Sequence, residues 1–267
     1  MTADTMSRPD WSAADDSVPP PTRAGLPRLT WVEMRKMVDT RAGFWLLVVI
    51  ALLSLAVVVV QLIWGGGGGG GDWADYFQFS LLPVALLLPV LGILTVTTEW
   101  SQRTALTTFT LVPERHRVVI AKFAAAIIFA LASVVTSVLV SALGNLLGIV
   151  LDRGESNWNL TASMLAQAVL MQVLGVVMGV AFGMLLMNTP TAIVLYFMLP
   201  TVWQILTELI EPIREAAEWL DLNSAMNPLA EGAVHGDGWG KLATSSLVWI
   251  VLPLVLGSIR LLRRELK

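Results

Sequence analysis

Two histidines, His116 and His235, and no cysteine are what this chain offers toward soft-metal or thiol chemistry. Without cysteine there are no disulfides, iron–sulfur clusters or thiolate zinc sites. The Glu99-x-x-x-Arg103 stretch has the outline of a membrane metalloprotease motif. Such an enzyme needs paired glutamates and histidines on later segments, and the two histidines are expected on opposite sides of a membrane. No serine stands in a Gly-x-Ser-x-Gly setting. The seven glycines at 65–71 resemble a phosphate loop only in composition. Asp72 follows them, where Gly-x-x-x-x-Gly-Lys-Ser/Thr is required. Gly240-Lys241 fails the same test, because Leu242 follows and His235 holds the first glycine's place. The sequence therefore predicts no catalytic residue, cofactor site or metal site, and the glycine run reads as a flexible linker.

The most informative stretch is 97–117, Thr-Thr-Glu-Trp-Ser-Gln-Arg-Thr-Ala-Leu-Thr-Thr-Phe-Thr-Leu-Val-Pro-Glu-Arg-His-Arg. Ser101 is suited to cap a short helix, and Pro113 to end it and start the next. A brief helix over 102–111 would put Leu106 and Phe109 on one face at i, i+3 spacing. An apolar knob with basic flanks suits insertion into a groove on another protein.

These residues need a scaffold, and composition says which kind. The 267-residue chain is 55% hydrophobic and 14% charged, with mean hydropathy +0.71. A soluble domain carries about 25% charged residues, and a chain of this size cannot bury so much apolar surface alone. A bilayer core about 30 Å thick takes about 20 apolar residues as helix. Six segments fit, at about 43–64, 77–98, 118–151, 163–187, 191–207 and 242–262. The expected fold is all-α, a polytopic membrane protein of six spans occupying residues 29–267. Residues 1–28, with Pro19-Pro20-Pro21 and several aspartates, read as a disordered cytoplasmic tail rather than a signal peptide.

With both ends in the cytoplasm, all but Arg153, Arg214 and Lys241 of the 17 basic residues fall inside. That bias fixes the orientation and places the chain in the cytoplasmic membrane. The spans lack central charges, so ion coupling is not expected. Their polar side chains are mostly uncharged, among them Asn145, Gln167, Gln172 and Gln204. A mainly apolar route suits amphiphilic cargo such as lipids, hydrophobic drugs or peptides.

Residues 29–41 predict an interfacial helix before the first span. On a helical wheel Trp31, Met34, Met37 and Val38 share one face, and Glu33, Lys36 and Thr40 lie opposite. Such a helix rests in the headgroup plane with its bases toward anionic lipid, and it is placed to pass motion to the first span. Gly175, Gly179 and Gly183, and Gly144 with Gly148, have the spacing that lets helices approach closely. Packing within one subunit is the expected use. Pro200 and Pro253 predict kinks. After the fifth span, Leu206, Leu209, Ile210, Ile213, Ala217 and Leu220 form a stripe, with Glu208, Glu211, Arg214, Glu215 and Glu218 opposite, an amphipathic helix broken near Pro212.

The pattern Gly92…Thr97-Thr98-Glu99-Trp100…Arg103-Thr104…Thr108…Pro113…Arg115…Arg117…Lys122 resembles the signature loop of ABC-2-type transporter permeases. The segment Val32-Glu33-Met34-Arg35-Lys36 resembles their amphipathic start. The run Asn-Ser-Ala-Met-Asn-Pro-Leu-Ala-Glu-Gly at 223–232, before a basic C-terminal end, is similar as well. The resemblance spans about residues 29–267 and is to actinobacterial members in particular. Many members have glycine where this chain has Arg103.

It implies a permease subunit that pairs with a second, identical or homologous permease and with two copies of a separate ATPase. ATP and magnesium would sit on the ATPase, and no nucleic acid is involved. It places ATPase coupling on Glu99, Arg103, Leu106, Phe109, Pro113, Arg115 and Arg117, and an elbow helix on Trp31, Glu33, Arg35 and Lys36. A smaller second contact would fall on Asn188-Thr189-Pro190. The competing class is a stand-alone membrane protein, a protease or a channel.

Overall fold

A computed structural model describes residues 25–64, 71–102, 114–153, 157–210 and 214–263. Among these the molecule is all-α, with no strand. Helix α1 (Leu26–Asp39) precedes α2 (Arg41–Trp64), α3 (Trp73–Ser101), α4 (Arg115–Val150), α5 (Ala162–Leu186) and α6 (Thr189–Leu209). Two short helices follow, α7 (Arg214–Ala217) and α8 (Leu222–Ala230). The last rod is α9 (Gly238–Ser246), a π turn (Leu247–Val251) and α10 (Leu252–Arg263). Six of these segments are long and apolar enough to cross a membrane: Arg41–Trp64, Trp73–Ser101, His116–Val150, Ala162–Leu186, Thr189–Thr207 and Gly238–Arg260. Six crossings put α1 and the end of α10 on one side, here the termini face. The opposite side is the distal face.

The spans are not equivalent. In α3 and α5, 61% and 56% of the apolar window is buried inside the molecule, against 17% for α2 and 11% for α6. The α3–α5 pair is the core, and the others wrap it with their outer sides left to lipid. Small residues make that pairing close. A Cβ at Gly179 would run into the Pro89 carbonyl, and one at Gly92 into the Val176 carbonyl. Gly183 lies against Ile93, and Gly175 against the Pro89 ring. The four-residue glycine repeat thus faces a neighbouring span of the same chain. Gly144 likewise faces Val58 and Tyr76.

Helix ends are fixed by local caps. α3 opens with a capping box, in which the Asp75 N–H donates to Asp72 Oδ1 at 3.0 Å and the Asp72 N–H to Asp75 Oδ2 at 3.3 Å. Asn159 accepts from the Ala74 N–H at 3.1 Å and donates to Asp72. Thr161 caps α5, Asn188 caps α6 and Asp221 caps α8. α5 ends at Met187 in the left-handed region, φ 51°. Residues 211–213, around the expected break at Pro212, lie outside the described residues; the helix before them ends at Leu209. Pro253 is met by the π turn one residue earlier, where the Leu252 N–H reaches back to the Leu247 carbonyl.

Candidate functional site

At the termini face, α1 turns sharply into α2. Pro27 sits in its first turn, which starts the helix at Leu26 rather than at 29. Thr40 is extended, φ −74° and ψ 136°, and its Oγ1 accepts from the Gly43 N–H at 3.2 Å, opening α2. A Cβ at Gly43 would collide with the Met37 carbonyl, so this bend requires glycine. The turn lays α1 across the ends of α3 and α4.

Four charged groups meet there. Lys122 of α4, whose side chain is 4% exposed, donates to Glu33 Oε2 at 2.7 Å and to the Thr95 carbonyl at 2.8 Å. Its Nζ lies 3.0 Å from Glu99 Oε1. Lys36 of α1 donates to Glu33 Oε1 at 2.7 Å and to Glu99 Oε1 at 2.9 Å. Two carboxylates and two ammonium groups from three helices therefore form one neutral cluster. Buried charge is tolerated when paired and fully hydrogen-bonded, and removing one partner is costly.

An apolar cluster of Met37, Val96, Val118, Met184 and Met187, with Met34 and Trp100 against it, occupies the same corner. Burial opposes the charge on Lys36, but the neighbouring Glu33 and Glu99 outweigh it and hold the ammonium above its usual range. Two residues before Glu99, Thr97 accepts from Thr189 Oγ1 at 2.7 Å, which brings the α5–α6 turn to the same helix end. Arg260 of α10 donates to the Leu185 carbonyl beside that turn. The end of α3 is thus a hub touched by α1, α4 and the start of α6.

Of the residues assigned to coupling, Arg103, Leu106, Phe109 and Pro113, with the helix expected over 102–111, lie outside the described residues. Glu99 belongs to α3 itself, turned inward, and Ser101 is the last residue of that helix, donating to the Thr98 carbonyl. Arg115 opens α4, and Arg117 pairs with Glu114 at 3.3 Å.

The wheel reading of α1 is reversed in one respect. Glu33 is 5% exposed and Trp31 is 65% exposed, so the face turned inward carries Glu33 and Met37, while Trp31 and Val38 face outward. The physical reason is that Lys122 and Glu99, far away in sequence, supply the partners a wheel cannot see. Arg35 stays exposed and pairs with Asp39 at 3.0 Å.

The role of Lys122 as the buried centre of this cluster was not foreseen. A single lysine within an otherwise apolar run is the signal that points to it. Among the described residues, no group of three or more His, Cys, Asp or Glu gathers as a metal site.

No model of a known protein family matches the chain. No curated protein matches it either.

Proposed function

We propose that this chain is the permease subunit of an ATP-driven ABC-2-type exporter, moving a hydrophobic or amphiphilic substrate across the cytoplasmic membrane. Two copies of a separate ATPase, carrying ATP and magnesium, would drive a pair of permease subunits. The observation that supports this reading best is the cluster of Glu33, Lys36, Glu99 and Lys122. It clamps a surface helix to the end of α3, one turn before the 103–113 segment whose pattern resembles a coupling loop.

A push on that loop would reach α3 through its last turn. The ion pairs would carry it to α1, and through the Thr40 turn to α2. The Thr97–Thr189 bond would carry it to α6. Paired charges suit this task because they hold direction and resist separation where Glu33, Glu99 and Lys122 are buried. Exposure of the route between two subunits would then alternate with ATPase closure.

The test is co-purification from mild detergent. An ATPase subunit should accompany the tagged chain in stoichiometric amount. Leu106→Asp and Phe109→Asp should release it while the permease keeps its elution volume. An undiminished ATPase band in both variants would remove the coupling assignment. A preparation without any nucleotide-binding subunit would remove the transporter reading.

A further inference from the structure

The charges of α1 divide into two sets. Glu33 and Lys36 turn inward and are matched by Glu99 and Lys122. Arg28, Arg35 and Asp39 stay exposed on the outside, and Arg41 is exposed where α2 begins. Arg35 gives its Nε–H to Asp39 at 3.0 Å, one turn along the same helix. Arg28 and Arg41 have no ion-pair partner among the described residues. The inward set is neutral, so the outward side of this corner keeps a net positive charge.

The outward residues also line up. At 3.6 residues per turn, Arg28, Arg35, Trp31 and Val38 fall within about 80° of arc. Trp31 is thus an exposed ring with an arginine one turn to either side. Its height in the bilayer follows from α2. Trp45 is exposed on that span, the least buried of the first four, and an exposed tryptophan there marks the membrane interface. Arg41 precedes it by four residues, roughly 6 Å along the axis. The Thr40 turn, and α1 beyond it, therefore lie just outside the apolar layer, level with the headgroups. There, phosphate surrounds the spans without any partner protein being required. A guanidinium is shaped to donate two parallel hydrogen bonds to phosphate oxygens. The net positive charge favours headgroups that carry no cation of their own.

We infer that the outward stripe Arg28–Trp31–Arg35 of α1 docks on anionic phospholipid headgroups in the leaflet at the termini face. The two guanidiniums donate to phosphate oxygens, and the Trp31 ring, with Val38 beside it, beds between the headgroups and the upper acyl chains. A helical wheel puts Lys36 on the polar side of α1; the fold gives Lys36 to its carboxylates and leaves the lipid to the arginines. The inference needs the six-span fold alone. It uses no coupling residue and stands whichever way the chain is oriented.

The experiment follows the fluorine signals of the fluorotryptophan-labelled full chain in maltoside micelles. The Trp31 signal is the one missing in Trp31→Phe. Dioleoylphosphatidylglycerol should move it in a saturable way, at roughly tenfold lower concentration than dioleoylphosphatidylcholine does. Arg28→Gln and Arg35→Gln should each raise the half-saturating phosphatidylglycerol concentration about fivefold, the effect of one cation at a charged lipid surface. Glycerol phosphate, the headgroup chemistry without acyl chains, should leave the signal in place. The two lipids and glycerol phosphate are compared on the unaltered protein, so folding of the variants does not decide the matter. Equal responses to the two lipids, or an unchanged half-saturation when both arginines are replaced, overturn the inference. A shift with glycerol phosphate equal to that with phosphatidylglycerol also overturns it, by assigning the stripe to a soluble phosphate.

Discussion

The weight of the termini face rests on single side chains, and Lys122 carries most of it. Its ammonium has three oxygens around it and almost no contact with the outside. Lys122→Met takes from Glu33 and Glu99 the buried ammonium group that both of them contact. Breaking such a pair costs about 3–5 kcal/mol, whereas exchanging both partners for apolar groups is often neutral. Lys122→Met should therefore unfold at clearly lower denaturant, and Lys122→Met with Glu33→Leu should recover most of the loss. Unfolding in mixed micelles monitored by circular dichroism reads both, and a Lys122→Met protein as stable as the parent would sink the cluster's importance.

Lys36 differs, because its side chain is 40% exposed and is screened accordingly. Its folded ammonium is held above the ordinary 10.5. The contribution is then complete below pH 10.5 and fades as pH rises through the folded value. The stability gap between the parent and Lys36→Met should stay flat from neutrality to pH 10 and close only above it. A gap that closes below pH 9 would show that the ammonium is not held by its carboxylates.

At the scale of elements, the close pairing of α3 and α5 makes a sharper claim than glycine content does. Gly179 and Gly175 sit in the same repeat but differ in what they meet. A Cβ at Gly179 enters the Pro89 carbonyl, while one at Gly175 finds its nearest neighbour, the Pro89 ring, at 3.5 Å, ordinary contact distance. Gly179→Ala should lower the melting temperature by several degrees, and Gly175→Ala should be tolerated. Equal losses at both would mean the repeat acts through helix flexibility rather than contact. The spacing of these glycines was legible in the sequence because it depends on helix period alone. Their partner was not, because which span lies opposite is a matter of tertiary packing.

The same limit explains α1. Its helical nature and position were legible from period and from the polar–apolar contrast. Its inward face was not, since Glu33 looks like a solvent residue until Lys122, 89 positions later, is brought beside it. The π turn before Pro253 was unreadable for a related reason. A proline predicts a lost hydrogen bond, but not whether the helix bends or takes up an extra residue.

For the whole molecule, six crossings were legible because hydropathy over about 20 residues is a property of the chain itself. Which face meets the cytoplasm rests on the basic residues. Arg28, Arg35, Lys36, Arg41, Arg115, Arg117, Lys122 and Arg260 gather at the termini face, while among the described residues the distal face has Arg153, Arg214 and Lys241. The bias predicts a cytoplasmic termini face.

The chain makes this easy to test, as it has no cysteine of its own. Single cysteines at the exposed positions Gln102 and His116, near the termini face, and Arg153 and His235, at the distal face, divide the two sides. An impermeant maleimide applied to intact cells should label Arg153→Cys and His235→Cys. Gln102→Cys and His116→Cys should react only after permeabilisation. A full reversal would put the 103–113 segment where no cytoplasmic ATPase can reach it, and the permease proposal would fall while the six-span fold stood. Disagreement between two positions on one face would instead remove a crossing, and with it the pairing of α1 against the ends of α3 and α4 on which the coupling argument depends.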